Sequence, residues 1–261
     1  MSEFETIKVA REGPVATITL ARPERLNACP PQMADEIFAA IRSIGDARAV
    51  LMRGEGRAFC SGADLAANAG VSMPGGDRAY SSLSQHYNPL IQALVSVPVP
   101  VICAVQGPAA GVGCSIALAA DFVIAGRSGY FLQAFVNIGL VPDGGSSWLL
   151  PRLVGTAQAT RMMMLGEKIH AEEAERIGLI YKCVDDEALA SEAEALAARL
   201  AAGPTVALGL MKQTLREGLQ ADLATVLSAE ARTQRLAGGT RDAGEGAAAF
   251  LSKRKPEFSG S

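Results

Sequence analysis

Histidine is nearly absent from this chain: His86 and His170 are the only two in 261 residues, and neither stands in a metal-ligand cluster, which argues against a zinc site. No C-x-x-C pair occurs. The five cysteines fall at Cys29, Cys60, Cys103, Cys114 and Cys183, and an odd, scattered set is expected as reduced thiols in a cytoplasmic compartment, not as a disulfide framework. Excess charge is lacking too: 24 Lys and Arg against 27 Asp and Glu leave -3, which speaks against nucleic acid or an anionic membrane as the main partner. The longest apolar stretches, 97–105 and 112–120, are far short of a bilayer span, and the first is broken by Pro98 and Pro100. Residues 1–10 carry acidic side chains and no apolar region behind a basic patch, so no secretory signal is expected. What is present is a 49% hydrophobic composition, enough for a full-sized core in one or two domains.

Residues 7–20 alternate in the manner of strands around Glu12-Gly13-Pro14, which predicts a hairpin of 7–10 and 15–20. Met33, Ile37, Ile41 and Ile44 follow Pro30-Pro31 at helical spacing. A strand at 49–53, a helix at 82–96, a strand at 101–105, a helix from about 111 and strands at 122–125 and 130–132 continue the alternation, which predicts an α/β fold with buried strands. Past residue 186 the chain turns rich in Ala, Leu, Glu and Arg, with helical patterns at 186–201, 205–217, 219–236 and 242–251. A core over 1–185 and a helical region over 186–261, which caps it or forms an oligomer interface, are therefore expected. Residues 66–85, rich in Gly, Ser and Asn without a period, are expected to be a mobile surface loop and a candidate substrate lid.

Two glycine-rich segments follow predicted strands: Ala58-Phe59-Cys60-Ser61-Gly62-Ala63-Asp64-Leu65, and Gly107-Pro108-Ala109-Ala110-Gly111-Val112-Gly113-Cys114-Ser115. Small residues let a ligand approach the backbone, and a helix start leaves N–H groups unpaired for an anion or oxyanion. Either segment alone is equally a tight connection, and neither is a phosphate loop or a complete dinucleotide fingerprint. A third, Val141-Pro142-Asp143-Gly144-Gly145, places a carboxylate in ordinary turn chemistry, or alternatively at a helix start with Phe135 and Trp148 near enough in sequence to tune it as a base. Trp148 and Met162-Met163-Met164 are expected in the core.

In this order the segments, opened by Arg22-Pro23-Glu24-Arg25-Leu26-Asn27-Ala28 and closed by Phe250-Leu251-Ser252-Lys253-Arg254-Lys255-Pro256, resemble the crotonase (enoyl-CoA hydratase/isomerase) superfamily over nearly the whole chain. Tyr87-Asn88-Pro89-Leu90, Gln133-Ala134-Phe135 and Leu153-Val154-Gly155 are most similar to the phenylacetate-pathway branch that acts on 1,2-epoxyphenylacetyl-CoA, which also resembles 3-enoyl-CoA isomerases. The resemblance implies a spiral of repeated ββα units with a C-terminal α-helical oligomerisation region, and a trimer or a hexamer built as a dimer of trimers. It implies an acyl-CoA thioester substrate with no separate cofactor, coenzyme A being part of the substrate.

It further implies that the backbone N–H groups of Ala63 and Val112 form the oxyanion hole, Val112 standing where the family usually has glycine, and that Asp143 is the single acidic residue kept by the isomerases. The coenzyme is expected over Arg25, Leu26, Ala63, Asp64 and Leu65, with Phe250 and Lys253 often supplied by a neighbouring subunit. The two glutamates of the hydratases match Ser115 and Phe135 here, so ordinary hydration of a 2-enoyl-CoA is not the expected reaction. An atypical hydratase, an enzyme like 4-chlorobenzoyl-CoA dehalogenase with His86 activating water, and a non-catalytic CoA-ester binding protein are the alternatives. His86 in a polar segment is equally an ordinary surface residue.

Overall fold

The structure is a computed structural model that describes residues 4–68 and 74–261. Its first element is the expected hairpin, β1 (Ile7–Glu12) and β2 (Val15–Leu20), antiparallel with Ile7 opposite Leu20 and turning at Gly13, which takes φ 55°. Helix α1 (Pro31–Arg42) follows, burying Met33, Ile37 and Ile41 on one face. Strands β3 (Ala49–Gly54), β4 (Val101–Val105), β6 (Phe122–Gly126) and β9 (Lys182–Val184) extend the hairpin in parallel, giving the order β1-β2-β3-β4-β6-β9. β4 is buried at every position, as a parallel strand covered on both faces must be.

A second sheet of three short strands, β5 (Pro108–Ala110), β7 (Tyr130–Leu132) and β8 (Lys168–His170), lies in the order β5-β7-β8. The spiral is visible in the repetition. β3 leads to Cys60, which bridges to Ala109; β4 leads to β5 and then α4 (Val112–Leu118); β6 leads to β7 and then α5 (Ser146–Leu165). Each pass therefore runs from the large sheet to the small one and into a helix, which places three connections side by side at one end of the molecule.

Alternation along the strands divides the core. Val50 and Met52, with Val101, Cys103 and Val105, face a cluster that includes α1 and α4, while Ala49, Leu51, Ile102 and Ala104 face the other way. That second face is closed by α7 (Leu189–Ala201), whose Leu189, Ala193, Ala197 and Ala201 recur every fourth residue and let the helix sit close on the sheet. Between β8 and β9 runs α6 (Ala171–Arg176). The remaining helices are α8 (Thr205–Gly218), α9 (Leu223–Gly238) and α10 (Arg241–Leu251), and they leave Met211, Leu215, Leu223, Leu227 and Phe250 exposed. Among the described residues no helix is long and apolar enough to cross a membrane.

Three expectations need correction. Over the segment read as a mobile loop at 66–85, the described residues form a short 3-10 turn (Leu65–Asn68), α2 (Gly75–Ser82) and a π-helical turn (Leu83–Tyr87) that runs on into α3 (Asn88–Ser96); residues 69–73 lie outside the described residues. The weak helix formers of α2 are carried by continuity with α3, whose Leu90, Ile91, Ala93 and Leu94 are buried, because extending an existing helix avoids the cost of nucleation. α5 was anticipated only as an alternative helix start beside Asp143, not over its length. Pro151 sits inside it and Gly155 breaks it with φ 74°, so no single apolar period spans it. Of the methionine run, Met162 is in the core and Met163 packs against it, but Met164 is 70% exposed.

Asp121 fastens α8 to this core. Its carboxylate meets Lys212 Nζ at 2.8 Å and Arg216 Nη2 at 3.2 Å and accepts from the Val101 N–H at 2.9 Å, while Lys212 also donates to the Leu94 and Val99 carbonyls. The Lys212 side chain is only 7% exposed, so removing its anion leaves a nearly buried charge. Asp121→Asn is expected to cost about 3 kcal/mol in urea unfolding. A cost below about 1 kcal/mol would show that the seat of α8 does not rest on this pair.

Candidate active site

The site grows from the contact between residues 60–64 and 108–113. Asn27, fully buried with φ 52°, accepts from the Arg22 N–H and donates to the carbonyls of Glu55 and Ala58, which ties the Arg22–Asn27 turn to the exit of β3. The Cys60 N–H then donates to Pro108 O at 3.0 Å, and the Ala110 N–H to Cys60 O at 2.9 Å. Two residues on, Cys29 takes over: its N–H donates to Gly62 O at 2.7 Å and its carbonyl accepts from the Asp64 N–H at 3.0 Å. Because a parallel bridge engages the groups flanking Ala63, the Ala63 N–H itself is turned away from Cys29.

On the other segment Gly111, at φ 52° and ψ -129°, is the cap of α4, and Val112 is its first residue. An N–H in that position has no partner within its helix. Among the described residues neither the Ala63 nor the Val112 N–H has a backbone partner. The two segments meet through glycine: a Cβ on Gly62 would lie 3.2 Å from Ala110 O, and one on Gly113 only 2.5 Å from Cys60 O. The Val112 side chain is buried in the core, with Cγ2 3.4 Å from where a Cβ on Gly144 would stand, so the valine that replaces the family's usual glycine leaves its N–H free.

Asp143 reaches the same place from β7. Phe135, buried after that strand, brings its ring to 3.8 Å from a Cβ built on Gly111. Gly144 and Gly145, both left-handed at φ 58° and 80°, then turn the chain into α5. The Asp143 carbonyl accepts from Ser115 Oγ at 3.0 Å and from the Ser146 N–H at 3.1 Å. Its carboxylate Oδ1 is buried without a hydrogen-bond partner among the described residues, and burial pushes the carboxyl up to about 6. The Tyr87 phenol, which donates to Cys29 O at 2.7 Å, is held well above its ordinary range chiefly by burial, with Asp143 among the smaller causes. Cys60 and Cys114 flank the site, but burial raises their thiols to about 11 and about 12, so neither is a thiolate near neutral pH. Among the described residues the arrangement offers two N–H donors without backbone partners and one largely buried carboxyl poised near neutrality.

The family model for enoyl-CoA hydratase/isomerase matches residues 10–261. The chain belongs to that family, within the crotonase superfamily. It is 46% identical over 98% of its length to a Rhodobacter capsulatus protein named "Probable enoyl-CoA hydratase", 99% of which is covered, and 44% identical over 95% of its length to the 1,2-epoxyphenylacetyl-CoA isomerase of Escherichia coli, of which 96% is covered. A solved enoyl-CoA hydratase from Polaromonas superposes with a TM-score of 0.91 at 34% identity, over 97% of this chain and 99% of that one.

Of the residues singled out in the sequence, Ala63, Val112 and Asp143 are brought together. Arg25 and Leu65 are exposed and Leu26 half-buried beside the first glycine segment, Leu26 O accepting from the Ser61 N–H. Asp64 is turned inward: its carboxylate meets Arg22 Nη1 at 2.8 Å and accepts from the Ala66 N–H, so it braces the turn. Phe250 and Lys253 are exposed at the end of α10, which packs on α9. His86 directs Nδ1 at both oxygens of Asp35 on α1. Sequence reading passed over Arg22, Tyr87 and Ser146. Tyr87 had a signal, lying midway between Leu83 and Ile91 at helical spacing, whereas nothing near Ser146 marks it.

A carboxyl held near 6 instead of its ordinary 3.8 opposes folding once it ionises, so its cost is absent below pH 3.8 and grows as pH rises toward 6. Asp143→Asn is expected to be more stable than the parent by on the order of 2 kcal/mol at pH 8, with the gain vanishing near pH 4 in urea titrations at the two pH values. An equal difference at both pH values would mean that the carboxyl is not held in a dry setting.

Proposed function

We propose that this enoyl-CoA hydratase/isomerase family enzyme is an acyl-CoA isomerase that shifts a double bond, or opens a ring epoxide, through a thioester enolate. The observation that carries the reading is the buried Oδ1 of Asp143, unpartnered among the described residues, on a turn whose Gly144 abuts Val112 and Ser115; by resemblance, Ser115 and Phe135 take the places of the hydratase glutamates. The thioester carbonyl accepts from the Ala63 and Val112 N–H groups. The Asp143 carboxylate removes a proton from one carbon of the acyl chain, and the electron pair passes into the enolate, whose charge rests on the oxygen in the hole. The same carboxylic acid returns the proton to a different carbon, so the double bond moves and the base is regenerated without water. Each oxyanion donor supplies roughly 3 kcal/mol and a placed acid/base group about 10² to 10⁴ in rate.

Coenzyme A lies along Arg25, Leu26 and the Ala63-Asp64-Leu65 backbone in this reading, with no further cofactor. Phe250 and Lys253 complete its site from a neighbouring copy in a trimer or hexamer, which also covers the apolar side chains left exposed on α8 and α9. The likeness to the Escherichia coli isomerase favours an aromatic, epoxidised acyl group of the phenylacetate type. A second reading, an atypical hydratase with water entering beside Asp143, draws on the Rhodobacter relative's name.

NMR in deuterated water, with 3-enoyl-CoA and 2-enoyl-CoA supplied separately, tests the choice. Double-bond migration with deuterium at the α or γ carbon and little 3-hydroxyacyl product is expected, and rapid 3-hydroxyacyl-CoA formation would establish the hydratase instead. Asp143→Asn is expected to lower kcat by about 10² to 10⁴ while acyl-CoA still binds. Because the base is the ionised form, kcat/KM should fall as pH drops through about 6.

A further inference from the structure

Ser115 stands where the hydratases carry a glutamate, and the structure gives it a different occupation. It lies one turn after Val112 on α4, a helix buried at all of its seven positions. Its Oγ is 3.3 Å from Gly111 O, 3.0 Å from Asp143 O and 2.8 Å from Ser146 Oγ. One hydroxyl carries one proton, so the consistent assignment sends the Ser115 proton to the nearer carbonyl, Asp143 O, while the Ser146 hydroxyl donates to Ser115 Oγ. Gly144 presses on the same side chain: a Cβ there would stand 2.6 Å from Ser115 Cβ.

We infer that Ser115 is a positioning residue, a hydroxyl clamp that holds the Asp143 backbone against the helical turn carrying the Val112 N–H and so sets the distance between proton carrier and oxyanion hole. This rests on the reading of Asp143 as the proton carrier and deepens it. Both ends of the chemistry are attached to residues 112–115, the donor through its own N–H and the acid through a single hydrogen bond to its main chain. Among the described residues the carboxylate Oδ1 makes no hydrogen bond that could hold it, and the main-chain bonds to Ser115 and Ser146 locate the residue.

The test compares Ser115→Ala, Ser115→Cys and Ser146→Ala with the parent and with Asp143→Asn, reading kcat and KM separately and titrating the Asp143 carboxyl by carbon-13 NMR, its signal assigned by its loss in Asp143→Asn. Among the described residues the Tyr87 phenol, bonded to Cys29 O, is a titratable group that senses that carboxyl, and the α4 and α5 residues that meet its loop, Ser115 and Ser146, carry no charge. Ser115→Ala is expected to lower kcat about 10- to 100-fold with KM changed less than about threefold, because a displaced acid affects turnover before binding. Its Asp143 carboxyl should titrate lower than in the parent, as a loosened loop admits water. Ser115→Cys, which keeps a weaker donor in the same volume, should fall between the two in both readouts, and Ser146→Ala, which leaves the clamp bond in place, should change each less than Ser115→Ala. Unchanged kcat and unchanged titration in Ser115→Ala would overturn the clamp, as would a loss of thermal stability alone. If Asp143→Asn keeps full turnover, the reading of Asp143 fails; if Asp143→Asn is inactive and Ser115→Ala is not impaired, only the clamp fails.

Discussion

Backbone meets backbone between residues 60–63 and 108–113, and the rest of the site depends on that approach. The constraint is steric. Gly113 has no space for a Cβ against Cys60, and Gly62 and Gly111 adopt positive φ values that side chains rarely tolerate. With side chains removed from the seam, the hydrogen bonds of Cys60 with Pro108 and Ala110 can form, the two segments run side by side, and the N–H groups of Ala63 and Val112 remain available. A donor pair built from main chain and anchored in buried elements does not have to reorganise when charge develops on a substrate oxygen.

Against this rigid pair stands one carboxyl in a dry setting. Burying it without a partner opposes folding at neutral pH, and the same burial brings its affinity for a proton into the range where it can both take and release one. The described residues named around it are neutral: Phe135 is apolar, Ser115 and Ser146 contact the Asp143 main chain, and the Tyr87 phenol stays protonated. In the proposed reaction the serine and phenylalanine that resemblance matches to the hydratase glutamates bring no carboxylate of their own, and Ser115 gives the Asp143 loop a place to sit.

The C-terminal helices show a different balance. α7 belongs to the core through its alanine stripe, whereas α8 is held by a small polar hub around Asp121, and α9 and α10 pack outward with large apolar side chains exposed. Apolar surface of that kind is stable in water when another surface covers it, which is why the proposed assembly and the reach of Phe250 and Lys253 toward a coenzyme belong together.

Much of the framework could be read directly. The hairpin, β3, β4, β6 and β7 show themselves through alternation or continuous apolar runs, and α1 and α7 to α10 through helical spacing and their glycine and proline boundaries. The strands β5, β8 and β9 could not: β7 is equally short but carries Tyr130, Phe131 and Leu132, whereas Pro108-Ala109-Ala110 reads as part of a glycine-rich turn until β7 lies beside it. Local chemistry made Asp143 a turn residue, and it is one, with two left-handed glycines after it; resemblance to the crotonases singled it out as an acid. By itself the sequence determined the α/β alternation and the places where glycine must stand, and resemblance matched Ser115 and Phe135 to the hydratase glutamates. Only the tertiary structure decided that the Asp64 carboxylate pairs with Arg22, that His86 pairs with Asp35, and that Ser115 reaches the carbonyl of Asp143. Those are contacts between residues 28 to 51 positions apart, and their geometry comes from packing, which no local pattern encodes.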